Sequence, residues 1–265
     1  MIDPSRSVDA ARVRDGRADQ TRRVVAEETP VAIVHDAATY AVMMATPQDL
    51  EDFAIGFSLT EGVIRSTADV RRFEAVETEF GVEARLWLNP GLAAGLAGRR
   101  RAMAGPTGCG LCGVESLALA LRNIPAPLAQ IAPLTIAQIH AAMASLEPAQ
   151  ALGHKTRAVH AAGLWRPDQG LAVSREDVGR HNAVDKVAGA LARRGEAADG
   201  VLLLTSRVSV ELVQKAAALG APVIAAISAP TSLAIRTAEA AGVTLIAVVR
   251  QDGFEVFTHP HRLAT

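Results

Sequence analysis

Apolar positions fall into two patterns along the second half of the chain. Short continuous apolar runs, GVLLLTS (200–206), APVIAAIS (221–228) and VTLIAVVR (243–250), alternate with stretches apolar at helical spacing. Those stretches are RHNAVDKVAGALARRG (180–195), closed by Gly195, then VSVELVQKAAALG (208–220) and TSLAIRTAEAAG (231–242). GLAVSRED (170–177) supplies a strand before the first helix and FEVFTH (254–259) a last one. Uninterrupted apolar strands alternating with amphipathic helices predict an α/β domain, a parallel sheet covered on both faces.

The first half reads differently. VAIVHD (31–36) and TYAVMMA (39–45) predict two strands turning at Asp36-Ala37-Ala38, and FEAVETEF (73–80) and EARLWLNP (83–90) a second pair turning at Gly81. Between them a helix is expected from Thr46-Pro47 to about Gly62, with Thr46 as its cap and Leu50, Phe53, Ala54 and Phe57 on one face. Val114–Asn123 is apolar at helical spacing, and Thr135 caps a helix over Ile136–Leu146. Residues 1–23 interleave arginines with aspartates and read as a solvated, poorly ordered arm. The expected organisation is that arm, a smaller α+β region over 24–124, and an α/β domain over 125–265.

Composition narrows the classes. Of 265 residues 49% are hydrophobic and only 3% aromatic, which suits helices packed on a sheet; a net charge of −1 gives no general nucleic-acid or membrane signature. No run reaches the ~18–20 apolar residues a bilayer span needs, and no signal peptide is evident. A cytoplasmic protein is expected, where thiols stay reduced.

Candidate chemistry centres on GPTGCGLCGVES (105–116), which holds the only two cysteines, Cys109 and Cys112. The C-x₂-C spacing could supply two zinc thiolates, but a closed site needs two more ligands and there is no third cysteine. A zinc deaminase needs H-x-E before P-C-x-x-C, whereas His35 is followed by Asp36-Ala37 and position 108 is glycine. A thiol–disulfide oxidoreductase is a second possibility, with the pair opening a helix, and a sulfur carrier a third. In a carrier, one nucleophilic cysteine takes sulfur from a persulfide, glycines give the loop reach, and Arg99, Arg100 and Arg101 favour the thiolate. A loop with two incidental thiols is the remaining alternative.

A second constellation lies at the strand ends. In an open parallel sheet ligands bind beyond the carboxyl ends of the strands. Ser174-Arg175-Glu176-Asp177, Thr205-Ser206-Arg207, Ser228–Ser232 and Arg250-Gln251-Asp252 would gather there. Arg175, Arg207 and Arg250 would then meet two helix N-termini, a setting for phosphate, with Asp177 or Asp252 accepting from a guanine edge. Ser206 and Thr231 could equally be plain helix caps, and His181 could pair with Asp185 along its helix. Neither G-x-G-x-x-G nor a P-loop is present.

Taken together, GPTGCGLCGVES, SREDVGRHNAVDKVAGA (174–190), the stretch 205–235 and QDGFEVFTHPHRL (251–263) resemble, in order, the formate dehydrogenase accessory sulfurtransferase family, FdhD. The resemblance runs from about residue 24 to 263. It implies a cytidine-deaminase-like three-layer fold without zinc chemistry, and no structural metal. It implies a homodimer that takes persulfide sulfur from a cysteine desulfurase. The sulfur would pass to the molybdenum (or tungsten) cofactor, bis-molybdopterin guanine dinucleotide, in support of formate dehydrogenase. Cys109 would carry the persulfide with Cys112 as its partner, and Val248, Val249, Arg250, Gln251, Asp252 and Gly253 match the segment that contacts the cofactor.

Overall fold

The computed structural model describes residues 2–92 and 128–264. Cys109, Cys112, the expected helix over Val114–Asn123 and the expected boundary near residue 125 lie outside the described residues.

The chain opens with an antiparallel hairpin, β1 (Ser5–Arg14) and β2 (Arg17–Ala26). This corrects the expectation of a poorly ordered arm. Asp15 and Gly16 both take positive φ, 49° and 74°, the two-residue turn whose twist matches that of the strands it joins. The interleaved charges then fall opposite one another, Asp9 across from Arg22 and Arg12 across from Asp19.

Next come β3 (Thr29–His35), β4 (Ala38–Ala45), α1 (Leu50–Thr60), β5 (Val70–Thr78) and β6 (Gly81–Leu88). The four strands form a sheet in the order β4-β3-β6-β5, with β3 and β6 parallel at its centre. Val31, Ile33, Val82, Ala84, Leu86 and Leu88 face one side, where Phe53, Ala54 and Phe57 of α1 cover them. The N-terminal α+β expectation matches this arrangement, except at the start of α1. Asp49, not Thr46, is the N-cap, at φ 53°, without a side-chain cap bond. Thr46 is fully buried three residues earlier and is used for another contact, described below.

The second layer system consists of α2 (Ile136–Leu146), α3 (Ala151–Thr156), β7 (His160–Arg166), β8 (Gly170–Asp177), α4 (Arg180–Arg194), β9 (Val201–Leu204), α5 (Val210–Leu219), β10 (Val223–Ala226), α6 (Ser232–Ala241), β11 (Thr244–Arg250) and β12 (Gly253–Val256). Thr135 caps α2 as expected, its hydroxyl accepting from the Gln138 N–H while the Gln138 side chain accepts from the Thr135 N–H. The sheet order is β12-β11-β10-β9-β7-β8. Only β9, β10 and β11 are parallel neighbours; β7, β8 and β12 each pair antiparallel. The sheet is therefore mixed rather than parallel, because the unforeseen strand β7 lies between β8 and β9.

Alternation of side chains separates two apolar layers. Leu202, Leu204, Ile224, Ala226 and Leu245 meet α4, α5 and α6 on one face. Val201, Leu203, Val223, Ala225 and Ile246 meet Ile139, Ala142 and Leu146 of α2 on the other. Helices on both faces make the three layers expected.

The two halves join where α1 crosses α4. Gly56 and Gly189 lie at the crossing, and the backbones touch there. A Cβ on Gly56 would stand 1.7 Å from the Asp185 carbonyl oxygen, and one on Gly189 1.9 Å from that of Asp52. Three ionic groups flank the contact. Arg175 and Arg193 both grip Asp52, at 2.6 and 2.7 Å. Lys215 reaches Asp185 at 2.8 Å, and the Thr60 hydroxyl donates to the same carboxylate at 2.6 Å. Lys186 meets Asp177 at 2.7 Å, with both side chains fully buried.

Candidate functional site at the strand ends

The direction of the strands brings the expected polar ends together. β8, β9, β10 and β11 all run toward one edge, and β7, running the other way, places His160 there, opposite Asp177. The residues at that edge divide into those used by the scaffold and those left open.

Asp177 belongs to the scaffold. Its carboxylate is fully buried and accepts from the backbone N–H of Thr46 (3.0 Å), the N–H of Gly179 (2.7 Å) and the Asn182 side chain (2.9 Å), besides pairing with Lys186. No lone pair is left for a guanine edge. Arg175 is likewise committed, its guanidinium held by Asp52 and the Ser174 carbonyl. Glu176 accepts from the N–H groups of Leu152 and Gly153 at the start of α3. Asn182 and Lys186 donate to the carbonyls of Met44 and Thr46. Most of SREDVGRHNAVDK is thus the clasp between the halves. Thr231 caps α6 through the Ala234 N–H, and buried Ser206 donates to the Arg207 carbonyl.

The segment 248–253 ends β11 in a bulge, with the register shifting between Ala247 and Arg250. Val248 takes φ 55° there, a conformation that is strained for a β-branched residue. Val248 packs against the layer under α4–α6. Val249 is buried on the α2 side. Arg250 donates to the carbonyls of Ile227 and Val249 from one guanidinium nitrogen. Arg250, Gln251 and Asp252 are exposed and Gly253 half-buried. Beside them a cleft of ≈ 250 Å³ lies between α2 and the strand ends, lined by His140, Met143, Ala144, Ile227, Val249, Arg250 and Gln251. His140 Nε2 is buried with no hydrogen-bond partner among the described residues, its ring edge-on to Phe254.

Farther along the edge, Arg180 and His181 open α4, Arg207 and Ser209 precede α5, Glu211 lies in its first turn, and His160 at the start of β7 is near enough to feel the charges of Arg180, His181 and Arg207. The alternative of a His181–Asp185 pair is not realised, because Asp185 is turned inward to Lys215. His181 lies 3.8 Å from Glu211 instead, with the Ser209 hydroxyl at 3.5 Å. Burial opposes ionisation of Glu211, yet His181 and Ser209 beside it hold the carboxyl at about 2. A carboxyl whose folded pKa lies below its unfolded one adds stability above the unfolded value, lost as pH falls toward the folded one. Acid titration from about pH 5 to pH 3 should therefore cost the native chain more stability than Glu211→Gln, by on the order of 1 kcal/mol. Equal losses in urea melts of the two would refute the pairing. Glu211 was not anticipated from the sequence, and nothing there assigned His160 or Arg180 to this edge. His160 begins a strand too rich in alanine and glycine to be read as one.

Among the described residues no group of three or more His, Cys, Asp or Glu could hold a metal ion, and no helix is long and apolar enough to cross a membrane.

Comparison with known proteins agrees with this architecture. The chain is 49% identical over 259 residues to the sulfur carrier protein FdhD of Agrobacterium fabrum, covering 97% of this chain and 96% of that one. It is 50% identical over 240 residues to the protein of the same name from Cupriavidus necator, covering 90% and 83%. A crystal structure of a candidate formate dehydrogenase accessory protein from Desulfotalea psychrophila superposes with a TM-score of 0.76 at 28% identity, over 99% of this chain and 100% of that one. The FdhD/NarQ family model matches residues 26–264, nearly everything beyond the hairpin, and the chain belongs to that family.

Proposed function

We propose that this chain is a sulfur carrier, a sulfurtransferase that serves formate dehydrogenase. Cys109 takes sulfur from a cysteine desulfurase. Its thiolate attacks the outer sulfur of the donor persulfide, the donor S–S bond breaks, and the donor leaves as a thiolate. The acceptor substrate is the molybdenum cofactor in its bis-molybdopterin guanine dinucleotide form. Cys112 completes delivery by attacking the inner sulfur of the Cys109 persulfide. That expels the outer sulfur as hydrosulfide and leaves a disulfide for a cellular dithiol to reduce.

The observation that carries the acceptor reading is the polar strand-end edge. It has a strained bulge at Val248, exposed Arg250, Gln251 and Asp252, and an adjoining cleft roofed by α2. The relatives named sulfur carrier protein support the carrier role. A homodimer working in the cytoplasm is part of the proposal.

Incubating the reduced protein with a desulfurase and cysteine should add the mass of one sulfur at Cys109. Cys109→Ser should abolish loading and Cys112→Ser should retain it. Undiminished loading and restored formate dehydrogenase activity with Cys109→Ser would overturn the proposal, and turnover of a disulfide substrate without a desulfurase would favour an oxidoreductase.

A further inference from the structure

We propose that the N-terminal hairpin is a docking arm for an acidic face of a partner protein. β1 and β2 have 10 residues each, about 34 Å of extended chain. They lie almost wholly before residue 26, where the family match begins. The base of the hairpin rests on α3. Val8, Ala10, Thr21 and Val25 share one face of the ribbon and are half-buried, and on that face Arg23 donates to the Thr156 carbonyl at 3.4 Å. Residues 11–20, the outer half, are all exposed. A two-stranded ribbon is marginal in water unless something packs against it.

Charge on that face is unbalanced. Arg12 lies opposite Asp19, but Arg14 lies directly opposite Arg17 at the tip. Like charges in that relation repel, and a row of carboxylates brought against them removes the penalty. Over residues 5–26 six arginines meet three aspartates, in a chain whose net charge is −1. Lys155 and Arg157, both exposed, flank Thr156 and carry the same sign onto the body. Among the described residues Arg12, Arg14, Arg17, Lys155 and Arg157 make no ion pair and no side-chain hydrogen bond, unlike Arg6 with Glu27 and Arg22 with Asp9.

The pattern selects the chemistry of the partner. Guanidinium forks match carboxylates two bonds at a time, and arginine is enriched at protein interfaces. Nucleic acid fits less well. The hairpin has no aromatic residue on which a base could stack, and Asp15 and Asp19 stand among the tip arginines, where they would meet phosphates. A protein face can set a cation of its own against those two aspartates. An anionic membrane also fits less well, because Val13, 68% exposed, is the one large apolar side chain within residues 11–20, too little to anchor in lipid. A second copy of the chain has few carboxylates to give. Asp49, Asp52, Glu61, Glu74 and Glu83 already face cations of their own chain.

The test is fluorescence anisotropy of a labelled peptide of alternating glutamate and serine, titrated with the full chain. The native chain should bind it, more weakly as salt is added, and should not bind the same peptide with glutamine in place of glutamate. Arg14→Glu/Arg17→Glu should bind at least tenfold more weakly while keeping its circular dichroism, and Arg14→Ala/Arg17→Ala should fall between. Arg65→Glu/Arg236→Glu, exposed positions on other parts of the chain, is the matched charge control and should bind like the native chain. Absence of binding, or an equal loss in the control, would overturn the proposal. So would affinity for duplex DNA or for phosphatidylglycerol vesicles that equals or exceeds affinity for the peptide. Self-association in sedimentation that Arg14→Glu/Arg17→Glu abolishes would replace the partner with a second copy and overturn it too. Cys109→Ser should bind the peptide normally, so failure of sulfur transfer and failure of the arm are read separately.

Discussion

Lys186→Met should destabilise the fold by about 3–5 kcal/mol, the range for breaking a buried ion pair from one side. Lys186 is fully buried and donates to the Asp177 carboxylate and the Thr46 carbonyl, with its ammonium 5.9 Å from the Phe53 ring centre. Methionine fills similar space but leaves Asp177 in the interior with neutral donors alone. Against a total stability of roughly 5–15 kcal/mol, that loss would leave a chain unfolding at low urea. Asp177→Asn in the same background should recover part of the loss, because the amide needs no counter-ion. A double-mutant cycle isolates the coupling. Independent, additive effects would mean that the two side chains do not act as a pair.

Gly189→Ala should cost about 2–3 kcal/mol, although alanine is the better helix former by about 1 kcal/mol. The added methyl would meet the Asp52 carbonyl at 1.9 Å and its carbonyl carbon at 2.6 Å. These are backbone atoms, so no side chain can rotate away and the helices must part. Parting them also lengthens the grip of Arg175 and Arg193 on Asp52. The expected readout is a melting temperature lower by about 5–10 °C. An unchanged or raised value would show that α1 and α4 do not approach so closely.

Much of the fold was legible from local pattern. The strands β9, β10 and β11 are short apolar runs bounded by turn residues, and their helices end at Gly195, Gly220 and Gly242, each at positive φ. Gathering of the strand ends followed from those directions alone. The hairpin was missed because few apolar residues outweigh its charges, although Asp15-Gly16 is a strong two-residue turn signal. Strand β7 was missed for want of β-branched residues. The roles inside SREDVGRHNAVDK were the least legible. Asp177 and Asp185 look like surface acids on a helix approach and are fully buried, because residues 46, 60 and 215 supply partners beyond those inside the motif. No window around the motif contains that information. Arg180 and His181 are what remains once the buried members are taken away.

The clasp between α1 and α4 also governs the order in which the chain can be made. Asp52 is synthesised 123 residues before Arg175 and 141 before Arg193, and Thr46 is synthesised 131 residues before Asp177. At 5–20 residues per second a nascent chain waits on the order of ten seconds for those partners. Throughout that interval the α1 residues that α4 will later cover, Gly56 among them, stay exposed on an unfinished intermediate. Emergence from the ribosome is therefore the vulnerable moment of this protein, and variants that weaken α4 should show their defect first as lost yield of soluble chain during synthesis.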